Sequence, residues 1–268
     1  MKIWYQSGLS FERFRAYEKY LREHVAAATE GHGVEVHING TTRGGTGVEY
    51  RFTEYFFARE MIENALRAEE QGFDAYIVGT TNDAGLFPSR EVLNIPVIGI
   101  TEASMHVACL MGRSFALITP NEKMIPHFEE LAVRYGLKDR LVGIQYTEFR
   151  IPELGMVFED AALQQKQLAE FREGARKVIE AGAEVIVPIG GIAGLFLARS
   201  GLRNIDGVPV IDTITVAVKM AEMMASLNKV TGTFVSRRLS FARPPEEILQ
   251  RVREDYGVGK NAKRGESS

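Results

Sequence analysis

The feature that most constrains this fold is a stretch that occurs twice. Phe73-Asp74-Ala75-Tyr76-Ile77-Val78-Gly79-Thr80-Thr81-Asn82-Asp83-Ala84-Gly85-Leu86-Phe87 runs from an apolar strand through a polar turn into a helix. Ala183-Glu184-Val185-Ile186-Val187-Pro188-Ile189-Gly190-Gly191-Ile192-Ala193-Gly194-Leu195-Phe196 does the same, with Ala-Gly-Leu-Phe at the matching place. Each copy is followed by a second related piece, Ile95-Pro96-Val97-Ile98-Gly99 and Val208-Pro209-Val210-Ile211-Asp212, the latter read as a strand over 208–211. A duplicated α/β half explains both matches. Two such halves related by a pseudo-two-fold axis face each other across one cleft, with the polar strand ends on its walls.

The remaining elements fit that plan. Strands are expected over 2–5, 33–38, 114–119 and 141–144, and helices over 10–28, 53–71, 102–111, 122–135, 160–181, 213–227 and 245–256. Strands alternating with helices argue a mainly parallel sheet in each half. Residues 1–112 with part of the C-terminal segment form the first lobe, 113–227 the second, and 228–256 a crossover and final helix. Residues 257–268 have almost nothing apolar to bury and read as a disordered tail or a partner's arm. Two further polar strand ends, Gln6-Ser7 and Thr119-Pro120, point toward the same cleft. The Gly- and Thr-rich loop 40–52 reads as a cover over the site, with Arg43 or Arg51 as candidate partners of a substrate carboxylate. It lacks the spacing of a phosphate loop.

At 268 residues, 45% of them hydrophobic, the chain can bury roughly three quarters of its unfolded surface. A net charge of -3 argues against a nucleic-acid partner. No run is long enough to span a bilayer, the amino terminus turns polar too early for a signal peptide, and a single cysteine suits a reducing compartment. The cytoplasm is therefore expected, with no membrane partner. Neither a metal nor a cofactor is expected: His37 has no second ligand at metal spacing. Cys109 stands among Val107, Ala108 and Leu110 on an apolar helix and reads as structural.

Gly79-Thr80-Thr81-Asn82-Asp83-Ala84-Gly85-Leu86 with Pro96-Val97-Ile98-Gly99-Ile100-Thr101-Glu102-Ala103 resembles the first signature of the aspartate/glutamate/hydantoin racemase superfamily. Val185 through Gly194 resembles the second. The resemblance spans about residues 2–227. It implies two pseudo-symmetric flavodoxin-like lobes with the site between them, assembly into a homo-oligomer, and proton transfer by two facing cysteines. Here the first cysteine position falls on Thr80 and the second on Gly190 or Gly191, while Cys109 matches neither. Two-thiol racemisation is unavailable to this chain.

What survives is a cradle of donors for a small-molecule substrate: Gln6, Ser7, Asn82, Thr119, Pro120, Gly190, Gly191 and Ile192 as binding residues, beside Thr80 and Thr81. Asp83 is the one titratable group inside the two strand-end turns, either a general base or an N-cap for the helix beginning near Ala84. Glu102 reads as a first-turn helix charge, and Tyr5, Tyr50 and His106 as second-tier candidates. The residues point to a cofactor-independent enzyme on a small carboxylate or cyclic amide or imide. C–N hydrolysis or lyase chemistry through Asp83, Thr80 and Thr81 is the leading expectation. The alternatives are a racemase or isomerase with a non-cysteine base and a silent binding protein.

Overall fold

Apolar runs long enough to be buried on both faces become central parallel strands. The computed structural model describes residues 1–148 and 156–258. Strands β1 (Lys2–Ser7), β2 (Glu35–Asn39), β3 (Ala75–Gly79) and β4 (Val97–Gly99) form a parallel sheet in the order β2-β1-β3-β4. Strands β5 (Phe115–Thr119), β6 (Leu141–Tyr146) and β7 (Ile186–Pro188) form a second parallel sheet in the order β6-β5-β7. A parallel bridge from Ile186 to Val210 supplies the fourth position. The second sheet thus repeats the strand order of the first, and every residue of β3 and β5 is buried.

The expected strand over 208–211 is shorter than its repeat. Val208–Pro209 (β9) folds back antiparallel on Asn204–Ile205 (β8), because Asp206 and Gly207 both take positive φ and close a tight turn. Only Val210 is left to join the parallel sheet.

Nine helices flank the sheets among the described residues: α1 (Arg15–Thr29), α2 (Arg51–Glu70), α3 (Leu86–Val92), α4 (Ile100–Met111), α5 (Ile125–Arg134), α6 (Ala161–Glu180), α7 (Gly191–Arg199), α8 (Thr213–Thr231) and α9 (Glu246–Tyr256). Helix α1 starts later than Ser10. The Ser10 carbonyl instead accepts from the N–H groups of Arg13 and Phe14 in a turn that leaves Phe14 beside the cleft. Asp160 caps α6 as expected, accepting from Ala162 and Leu163 N–H.

The helices that close the two halves are exchanged. Met105 and Ala108 of α4 pack in a cluster with Phe115, Leu117, Phe128, Leu131 and Val187 of the second half. Ile214, Ala217 and Val218 of α8 pack with Ile3, Ile77 and Ile98 of the first. The C-terminal segment also returns to the first half, where Arg237 donates to the carbonyls of Arg90 (3.2 Å) and Glu91 (2.9 Å). Arg243 Nε donates to Val92 O at 2.9 Å, so two guanidiniums satisfy the open end of α3. Beyond Val258 the expected tail lies outside the described residues, as do residues 149–155.

Candidate active site

The strand-end turns of both halves meet at one cleft of about 150 Å3. The first half contributes Ser7, Gly8, Leu9, Phe14, Tyr17, Thr80, Thr81 and Asn82 to its walls. Thr119, Pro120, Asn121, Met124, Phe128 and residues 189–193 come from the second, and the loop between β2 and α2 closes over with Gly45 and Val48. A cavity of this size accepts a ring about as large as benzene.

Nine residues expected at the site are brought together there: Ser7, Thr80, Thr81, Asn82, Thr119, Pro120, Gly190, Gly191 and Ile192. Thr80 Oγ1 donates to Asn82 Oδ1 at 2.8 Å, which fixes the amide and turns its Nδ2 away from that bond. That Nδ2 is buried with no hydrogen-bond partner among the described residues. Thr119 Oγ1 receives Asn121 N–H at 3.3 Å, and Ser7 Oγ receives Leu9 N–H at 3.1 Å.

Gln6 and Asp83 do not reach the cleft. Successive strand residues face opposite sides, so Gln6 shares the side of Trp4, accepts from its indole Nε1 at 3.0 Å, and is fully buried. Asp83 turns out of the cleft into a neighbouring recess with Arg51, Glu54, His127, Arg134 and Tyr135, where φ at Asp83 is +48°. Its carboxylate accepts from Thr101 N (3.1 Å), Glu102 N (2.9 Å) and Tyr135 Oη (2.6 Å). Asp83 therefore caps α4, a helix beginning 17 residues after it, rather than the helix near Ala84. Burial pushes its pKa up to about 7, against the pull of those three donors.

The remaining candidates also lie elsewhere. Glu102 forms a two-pronged ion pair with Arg90, at 3.0 and 2.5 Å, and Arg51 pairs with Glu130 at 2.5 Å. His106 lines a separate apolar cavity under the C-terminal segment, and Tyr50 lies exposed beneath Lys123. Tyr5 is buried directly behind Tyr17. Cys109 is on α4, away from the cleft, with its thiol pKa raised by burial.

Phe14, Tyr17, Val48, Met124 and Phe128 are cleft residues that the sequence did not single out. Tyr17 is the one titratable side chain among the described lining residues. Burial raises its pKa to about 12, with the Ser7 and Tyr5 hydroxyls offsetting part of that rise. No lysine, arginine, histidine, carboxylate or thiol lines the cleft among the described residues. The lining offers hydroxyl, amide and backbone polar groups and no charged group, an arrangement chemically able to meet an uncharged polar group. Among the described residues no cluster of His, Cys, Asp and Glu is arranged to hold a metal ion, and no helix is long and apolar enough to cross a membrane.

Residues 15–221 match the family model described as Asp/Glu/Hydantoin racemase. A hydantoin racemase of Paenarthrobacter aurescens is 30% identical over 233 residues, covering 85% of this chain and 93% of the relative. One from Pseudomonas sp. (strain NS671) is 29% identical over 241 residues, covering 88% and 90%. Among solved structures, the allantoin racemase from Klebsiella pneumoniae superposes with a TM-score of 0.77 at 26% identity, covering 92% of this chain and 94% of that one.

Proposed function

The chain belongs to the Asp/Glu/hydantoin racemase family, and from that premise we propose that it is an isomerase inverting a carbon stereocentre in a small, uncharged cyclic ureide or cyclic amide. It is a racemase-family enzyme resembling hydantoin and allantoin racemases. The observation that carries the finer reading is the absence of charge from the described cleft lining, which has donors for ring carbonyls and no cation for a substrate carboxylate. The hydrolytic or lyase expectation rested on Asp83 as a base, and Asp83 faces the neighbouring recess.

The chemistry follows from the lining. Removing the proton on a carbon beside a ring carbonyl leaves an enolate, whose oxygen is met by the threonine hydroxyls and backbone N–H groups of the cleft. Tyr17, as phenolate, takes the proton from one face of that carbon while solvent water gives one to the opposite face; in reverse, solvent hydroxide takes the proton from that opposite face and the Tyr17 phenol gives its own, Tyr17 then recovering its starting state by proton exchange with solvent. The two directions need the same hydroxyl in opposite protonation states, with Ser7 and Tyr5 stabilising the phenolate. Because burial pushes the Tyr17 pKa up to about 12, the expected turnover is low near neutrality and rises with pH.

A second reading has its own observation in favour: with Tyr17 protonated at neutral pH, the described cleft lining has no ready base, as in a silent binding protein. Incubating the protein with (S)-allantoin and with a 5-alkyl hydantoin in deuterated buffer separates the two. Loss of optical rotation with deuterium entering at the ring carbon is expected, abolished by Tyr17→Phe. Binding without exchange of either compound across pH 7 to 10 would leave the silent protein standing.

A further inference from the structure

The Thr80–Asp83 turn presents three side chains to the cleft, and all four of its backbone carbonyls are taken. Thr80 O accepts from Asp83 N at 2.9 Å and Asp83 O from Leu86 N at 3.1 Å, both local bonds. Thr81 O accepts from Thr101 Oγ1 at 2.6 Å. Asn82 O accepts from His127 Nε2 at 3.2 Å, and this donor comes from the other half of the molecule. His127 lies on α5, whose Phe128 and Leu131 pack into the second half. A carbonyl only accepts, so Nε2 carries the ring proton.

Tyr135, at the end of the same helix, donates to Asp83 Oδ2 at 2.6 Å. Its ring also meets Phe87 of α3 edge-on, at a centroid distance of 6.2 Å. His127 and Tyr135 are eight residues apart, hence on one face of the helix, and they grip the turn at two neighbouring residues. His127 is 6% exposed, so its bond is shielded from competing water.

We infer that His127 and Tyr135 are positioning residues: from the second half they hold the first half's strand-end turn, and so set where Thr80, Thr81 and Asn82 stand across the cleft from Pro120 and Gly190. Neither side chain lines the cleft. Moving the halves apart breaks both bonds, so the closed cleft and the shaped turn are one state. For its chemical consequence this rests on the isomerase reading. A misplacement of about 1 Å in such a wall costs on the order of a hundredfold in rate.

The test compares Tyr135→Phe, which removes one hydroxyl, with His127→Leu, which removes the donor, and with His127→Gln, whose Nε2–H has similar reach. Backbone amide hydrogen exchange of the full chain and turnover of (S)-allantoin and a 5-alkyl hydantoin are measured on each. Tyr135→Phe and His127→Leu should speed exchange over residues 80–86 at least tenfold, leave residues 119–122 unchanged, and lower kcat at least tenfold with KM within threefold. His127→Gln should restore most of both. Unchanged exchange over 80–86, exchange rising equally at 119–122, or an unchanged kcat overturns the inference. If the wild-type protein turns over neither compound, the isomerase reading fails, and the exchange pattern alone decides whether the hold exists.

Discussion

A side chain is excluded at Gly79 and admitted at Gly191, and the difference lies in what each glycine faces. A Cβ on Gly79 would stand 2.4 Å from the Tyr5 ring and 2.8 Å from Gln6 O, so the missing side chain is what makes room for the Tyr5 ring. At Gly190 the obstacle is backbone: φ of +122° is strained for an L residue, and Pro120 is 3.0 Å from the added carbon. Gly191 has only Tyr17 Oη nearby, at 3.6 Å, so of the two glycines it is the one that can carry a cleft-facing group. Gly79→Ala and Gly190→Ala should each cost about 1–3 kcal/mol in urea unfolding. Gly191→Ala should stay within about 0.5 kcal/mol of wild type yet weaken ligand binding, because its methyl occupies the space beside Tyr17. A Gly191→Ala variant as unstable as Gly79→Ala would refute that assignment.

At the scale of elements, the two exchanged helices are capped by carboxylates of different origin. Helix α8 is capped by Asp212, which accepts from Thr215 N at 3.1 Å and pairs with His24 at 2.8 Å. Helix α4 has no such residue of its own and borrows Asp83 from the preceding cleft turn. The Asp83 pKa, raised from 3.8 to about 7, gives this cap a pH signature. The native state holds a proton that the unfolded state has released, so this contribution is fully present below about pH 4. It is lost as pH rises through about 7, at no more than about 1.4 kcal/mol per pH unit. The wild-type stability measured relative to Asp83→Asn should therefore fall between pH 5 and pH 8. A difference flat across that range would mean that the three donors keep Asp83 ionised throughout. The sequence made most elements legible, because parallel strands read as unbroken apolar runs and Asn121, Asp160 and Pro245 punctuate helix starts. It could not reveal that Asp83 caps α4, since that pairing exists only once β4 lies beside β3. Tyr17 was hidden for a related reason: its place in a period-3.6 row reads as core, and it is core that also ends at a cleft.

For the whole molecule, the duplicated stretch was enough to predict two like sheets and one cleft, while helical periodicity shows only that a face is buried and not which sheet buries it. The exchange of α4 and α8 has a thermodynamic consequence. Each sheet has one side covered by a helix that follows the other sheet, so neither half can bury its core alone, and the two should unfold as one unit. Trp4, the single tryptophan, reports on the first half, and far-UV circular dichroism reports on both. Their thermal transitions should coincide, and two resolved steps would show that the halves are separately stable. A ligand in the cleft touches both halves, so it should raise the midpoint of that one transition rather than split it. At a concentration a hundred times its dissociation constant it adds about 2.7 kcal/mol. A cyclic ureide that shifts both probes together, in wild type but not in Gly191→Ala, would place its binding between the lobes. A shift in the Trp4 signal alone would assign it to the first half and take the interlobe cleft out of the mechanism.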